Sequence, residues 1–158
     1  VQRYIKYFGI SYQTISLPSW SRNNNKRLVK SSKIHFLDPG IAHAVLNKRG
    51  GITGNEYESA IVSEIYKQTK NIQSDIQFSF LRTNDGKEVD LLLEFQNYYL
   101  AFEIKMTQKV IPTDAKHLKN LNEILDKPIK KSFVISNDTE TKYIDENVIA
   151  IHAVTFLG

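Results

Sequence analysis

Residues 87–106 read KEVDLLLEFQNYYLAFEIKM. Two apolar, alternating runs, 87–95 and 98–106, flank Gln96-Asn97, which is the spacing of a tight antiparallel hairpin. Gln-Asn is a poorer turn pair than Asn-Gly, so a longer loop is the alternative. With Phe95 facing Tyr98, Asp90 lies across from Glu103 and Glu88 across from Lys105. Residues two apart share a face of a strand, so Asp90, Glu103 and Lys105 project to one side and Leu91, Leu93, Phe102 and Ile104 to the other. Directly opposed carboxylates have Cβ atoms about 5 Å apart and repel each other. A hard divalent cation relieves that repulsion, taking oxygen ligands and keeping several waters. Lys105 beside it suits orienting a water or stabilising charge on a phosphate. The alternative is a solvated sheet edge with Lys105 as a neutralising neighbour. Against it stand Leu91-Leu92-Leu93 and Leu100-Ala101-Phe102, runs typical of a sheet covered on both faces, where charges need partners.

Working outward, residues 76–82 read as a strand and Thr83-Asn84-Asp85-Gly86 as a turn. Before them the pattern turns helical from Asn55, which is the expected N-cap, with Tyr57, Ile61 and Ile65 on one line and Glu56 and Glu58 in the first turn. At 100° per residue Glu58 and Glu64 fall about 60° to either side of Ile61, so both border the buried face. Downstream, residues 113–125 read as a helix with Ala115, Leu118, Leu121 and Leu125 inward, closed by Pro128. Residues 133–135 and 148–151 are buried strands, the latter running on towards Phe156. The order of helix, three antiparallel strands, helix and two further strands makes an α/β core.

The chain has 158 residues, 21 Lys+Arg against 17 Asp+Glu, and no cysteine. One ordinary domain with a short attachment is expected, without disulfides, thiolate nucleophiles or zinc knuckles. The four histidines are scattered, so any metal must be held by oxygen. No apolar run approaches the roughly 18 residues of a membrane span and no signal peptide opens the chain, so a cytoplasmic protein is expected. A start at Val1 suggests a piece of a longer chain.

Charge divides the sequence into two segments, 1–50 and 51–158. The first holds nine Lys/Arg and one acid, Asp38, a local charge of +8; the second holds twelve basic and sixteen acidic residues, a charge of −4. The front segment reads as a helix end around Tyr4 and Phe8, a strand over 10–17 stopped by Pro18, an Asn-rich turn and a returning strand over 33–37. A short helix over 41–46 and a Gly-rich loop follow. This looks like the end of a winged-helix module. Arg22, Lys26, Arg27, Lys30 and Lys33 are its candidate nucleic-acid contacts; a solvated or interdomain surface is the alternative.

Asp90, twelve intervening residues and then Glu103-Ile104-Lys105 resemble the PD-(D/E)xK motif of restriction-endonuclease-like nucleases. The stretches 33–41, 54–65, 80–82, 86–90 and 102–105 together resemble a more specific family: the C-terminal domain of unknown function carried by many bacterial and archaeal AAA+ ATPases. The resemblance implies a restriction-endonuclease-like α/β fold, a mixed sheet flanked by helices. It also implies that Asp90 and Glu103 bind Mg²⁺ or Mn²⁺, with the Ile104 carbonyl as a further ligand, Lys105 positioning the water and Glu58 adding a third acid. Glu64 also matches the pattern, with a packing or capping role equally open. In that family a winged helix joins the domain to its ATPase, so those parts of the same longer chain are expected partners, beside nucleic acid with DNA favoured. The motif's leading proline is absent, Val89 standing before Asp90, and no GxxxxGK[ST] loop is present, so ATP hydrolysis is not expected.

Two functions stay open: metal-dependent phosphodiester hydrolysis, and a catalytically silent module that binds DNA or protein. His117 reads as a surface residue, His35 and His152 as strand packing, and Trp20 as an anchor for the hairpin, while Arg82 either pairs with an acid or contacts phosphate.

Overall fold

The structure is a computed structural model and describes residues 2–22, 31–45, 47, 49–72 and 75–158. Helix α1 (Gln2–Ile10) runs through Ile10, so strand β1 starts later than alternation suggests, at Thr14–Leu17. Tyr12, at φ 56°, makes the turn between them. β1 pairs antiparallel with β2 (Lys33–Phe36), which sets Ile15 opposite His35 and Leu17 opposite Lys33. Asp38 then accepts the Gly40 amide at 2.8 Å and opens α2 (Pro39–Val45).

Helix α3 (Gly54–Asn71) is capped by Thr53 rather than Asn55. The Thr53 hydroxyl accepts the Glu56 amide and the Glu56 carboxylate accepts the Thr53 amide at 2.6 Å, a reciprocal box that starts the helix one residue before Asn55. Tyr57, Ile61, Val62 and Ile65 form its buried stripe.

The main sheet is mixed and six-stranded: β3 (Gln77–Arg82), β4 (Glu88–Glu94), β5 (Tyr99–Ile104), β6 (Ile129–Ser136), β7 (Lys142–Tyr143) and β8 (Val148–His152), in the order β3-β4-β5-β6-β8-β7. β3, β4 and β5 are antiparallel neighbours, and β5, β6 and β8 are parallel. The hairpin register is the expected one, with Leu91 opposite Phe102 and Leu93 opposite Leu100. β4 holds one more residue than β3 between the pairs Ser79–Leu92 and Leu81–Val89, a bulge around Asp90 and Leu91. It returns Val89 to the face of Leu92 although the two are three apart.

Both faces are covered. On one, Leu81, Val89, Leu92, Tyr99 and Ala101 pack with Trp20, Ala115, Leu118, Leu121 and Leu125. On the other, Leu91, Leu93, Phe102 and Ile104 pack with Ile15, Leu17 and the α3 stripe. The covering segment on the first face is not the α-helix expected over 113–125. It is two 3₁₀ turns, Pro112–Leu118 and Leu121–Glu123, broken by Asn120 at φ 57°. The inward residues 115, 118 and 121 are spaced by three, which matches the 3₁₀ repeat. β8 likewise does not run on to Phe156. His152 caps a short helix, α4 (Ala153–Leu157), that folds Phe156 against Phe102 and Phe133. Among the described residues no helix is long and apolar enough to cross a membrane.

Candidate functional site

The charged side chains of the hairpin gather where β2, β4 and β5 meet the start of α3. Glu103, on β5, is 2% exposed. Its Oε1 accepts the Lys105 ammonium at 2.6 Å, while its buried Oε2 has no partner among the described residues. Burial, and then the Asp90 charge, push its carboxyl up to about 7 despite Lys105. Asp90 turns Oδ2 to the Ile104 amide at 2.8 Å, taking a bond the sheet ladder leaves open beyond Leu91 and Phe102. Burial and Glu58 raise its carboxyl, partly offset by that amide and by Lys33 and Lys105.

Lys33 enters this cluster from β2. Its Nζ lies 3.0 Å from Glu58 Oε1, 3.0 Å from Glu88 Oε1 and 3.6 Å from Asp90 Oδ1. Burial works against the ammonium, but Glu58, Asp90 and Glu88 outweigh it and raise its pKa. Glu88 is held below its ordinary value because Lys33 and Arg82 outweigh its burial. Arg82 settles on the acid, its guanidinium reaching Glu88 at 2.8 to 3.1 Å.

The structure therefore brings Glu58, Asp90, Glu103, Ile104, Lys105 and Lys33 into one neighbourhood. Asp90 and Glu58 line a cleft of about 360 Å³ with Lys33, Arg82 and Glu88, whereas Glu103 and Lys105 line one of about 270 Å³ with Asp114 and His117. Glu88 faces Lys33 and Arg82 instead of Lys105, because the bulge ends the regular β4–β5 pairing before it. Among the described residues no group of three or more His, Asp and Glu side chains is arranged to hold a metal ion. The oxygen donors available there are Asp90 and Glu103, the latter with one buried oxygen unpartnered among the described residues.

Other sequence candidates lie elsewhere. Glu64 pairs with Lys67 along α3. Arg22 donates to the Ile124 carbonyl at 3.1 Å. Lys26, Arg27 and Lys30 lie outside the described residues. Trp20 is buried and donates to the Tyr99 hydroxyl at 3.1 Å, the expected anchor. His117 is not simply a surface residue: it lines the Glu103 cleft and its Nδ1 accepts the Glu88 amide at 3.4 Å. Burial and the neighbouring lysines lower its pKa. Sequence reading missed both this contact and the role of Lys33 within the acid cluster, since neither follows from local spacing.

Residues 53–156 match the family model described as a domain of unknown function, DUF4143. The chain belongs to the DUF4143 family. Residues 1–51 match a second domain of unknown function, DUF8612. DUF4143 domains are commonly found with AAA ATPases. No curated protein and no solved structure matches the chain. The Asp90, Glu103 and Lys105 constellation lies wholly within the DUF4143 part, whereas Lys33 comes from the DUF8612 part.

Proposed function

We propose that this DUF4143 chain is a restriction-endonuclease-like module that hydrolyses nucleic-acid phosphodiesters, DNA above all, with Mg²⁺ or Mn²⁺. The observation that carries the reading is Glu103: a buried carboxylate on Lys105, beside Asp90, with one oxygen left unpartnered. Asp90 and Glu103 would hold the cation, with the Ile104 carbonyl and Glu58 as further oxygen donors. When bound, such a cation polarises a phosphoryl oxygen and lowers the pKa of water. Lys105, its side chain 40% exposed, reaches from Glu103 towards solvent, where an ammonium orients a water and stabilises developing phosphate charge. The basic residues Arg22, Lys26, Arg27 and Lys30 would supply phosphate contacts from the front segment, whereas Lys33, the fifth candidate, is held by Glu58, Glu88 and Asp90. An ATPase and winged-helix part of the same longer chain, in the cytoplasm, completes this reading.

A second reading follows from Lys33. Its ammonium already neutralises Glu58, Glu88 and Asp90, as in a silent module that keeps the fold for binding DNA or protein.

A cleavage assay with Mn²⁺ on single-stranded, duplex and branched DNA separates the two. Product from the wild type, reduced by about 10²- to 10³-fold in Lys105→Ala and abolished in Asp90→Ala, supports hydrolysis. Folded but equally inactive proteins favour the silent module.

A further inference from the structure

Among the described residues, Lys33 is the one cation in the cluster that the DUF4143 segment does not supply. Its backbone is fixed in β2 opposite Leu17, which is buried. Its stem passes the Phe80 ring, with the ammonium 5.4 Å from the ring centre. A lysine head is a compact point charge with three donors, and here it meets three carboxylates from two other elements. An ammonium so placed does what a small metal ion would do.

Charge bookkeeping sharpens the point. Among the described residues, and with every carboxyl ionised as a metal would require, four carboxylates, Glu58, Glu88, Asp90 and Glu103, face three cationic side chains, Lys33, Arg82 and Lys105. A divalent ion added with Lys33 in place reverses that balance to a net positive charge. With Lys33 withdrawn, four carboxylates meet two cationic side chains and two metal charges, and the cluster is neutral. The Lys33 side chain is 22% exposed and lines the 360 Å³ cleft, so it has a way out. The unpartnered oxygen of Glu103 shows that Lys33 and Lys105 leave a donor unused.

We infer that Lys33 is a built-in competitor for the cation site: the β1–β2 hairpin holds its ammonium among Glu58, Glu88 and Asp90, and a divalent cation binds by displacing it. This rests on the metal-dependent reading above and adds to it a gate: the Lys33 side chain, supplied by the front segment, has to leave the carboxylates before the cation binds.

The test is Mn²⁺ binding, by calorimetry and by melting temperature, for wild type, Lys33→Met, which keeps the stem and removes the charge, and Lys33→Arg, which keeps the charge. Lys33→Met should bind Mn²⁺ about tenfold tighter or more, melt lower than wild type without metal and regain stability with it. Lys33→Arg should show no such gain, and adding Asp90→Asn to Lys33→Met should remove it. Equal or weaker binding by Lys33→Met, with wild type binding, overturns the gate and leaves the hydrolytic reading standing. No binding by either protein at millimolar Mn²⁺ overturns both. If Lys33→Met does not fold, Mg²⁺ titration of the wild type decides by nuclear magnetic resonance. The Lys33 Cε and Nζ signals should move to those of a solvated lysine with the midpoint of the melting shift, and signals that stay put while Mg²⁺ binds overturn the gate.

Discussion

His35 shows what one buried side chain imposes on this protein. It is 4% exposed on β2, its Nδ1 lies 3.0 Å from the Ser59 hydroxyl, and its Nε2 has no partner among the described residues. Burial and the Lys33 charge depress its pKa from 6.5 to about 4. A depressed folded value means that the unfolded chain takes the proton first, so the stabilisation is whole above pH 6.5 and is lost as pH falls to about 4. The full loss is on the order of 3 kcal/mol. Glu103 acts with the opposite sign: raised to about 7, it favours the folded state below its ordinary value and loses that contribution as pH rises through 7. Urea unfolding of wild type against His35→Gln in chelator cancels the Glu103 contribution common to both. Wild type should lose about 3 kcal/mol relative to the variant between pH 7 and pH 4. A constant difference would show that His35 takes up its proton in the fold as readily as in the unfolded chain. At this scale period two places Glu103 beside Lys105, whereas Asp90 sits at the β4 bulge, lines the other cleft and meets β5 through the Ile104 amide. The Lys33 contacts with Glu58, Glu88 and Asp90 were not legible in the sequence, because they join elements far apart in the chain.

Among the elements, the long helix and the central hairpin were readable, since α3 carries a continuous apolar stripe and β4–β5 a single consistent register. What stayed hidden has local causes that periodicity does not carry. The β4 bulge is one extra residue in a run of apolar ones, the 3₁₀ turns share inward positions with an α-helix, and β7 is two residues long. The N-cap makes a clean test. Thr53→Ala removes the hydroxyl that holds the Glu56 amide and should cost about 1 kcal/mol, whereas Asn55→Ala should stay within about 0.5 kcal/mol. Equal costs in chemical denaturation would move the cap back to Asn55.

For the whole molecule, the question is whether the two family segments are two folding units or one. Ile15, Leu17 and Trp20 of the front segment are buried in the cores on both sides of the main sheet. The Trp20 amide donates to the Phe80 carbonyl at 2.6 Å and the Phe80 amide to the Pro18 carbonyl at 3.1 Å, so the front segment also pairs with β3, the edge strand. Trp20 further ties to Tyr99, whose hydroxyl donates to Asp126 at 2.7 Å. Cutting the chain before Gly51 would strip those three side chains, each worth about 1.5 to 3 kcal/mol in burial, and leave the β3 edge bare. That is comparable with the whole stability of an ordinary domain, about 5 to 15 kcal/mol. The fragment 51–158 should therefore lack a cooperative melting transition and aggregate, although it contains the whole DUF4143 match. Trp20→Ala in the full chain should cost about 3 to 5 kcal/mol while keeping a single transition. A fragment with a sharp melt and dispersed amide signals would instead make the front segment a separable attachment. Since Lys33 and Trp20 arrive on the same segment, a chain that needs its front segment to fold carries Lys33 into the candidate site each time it does so.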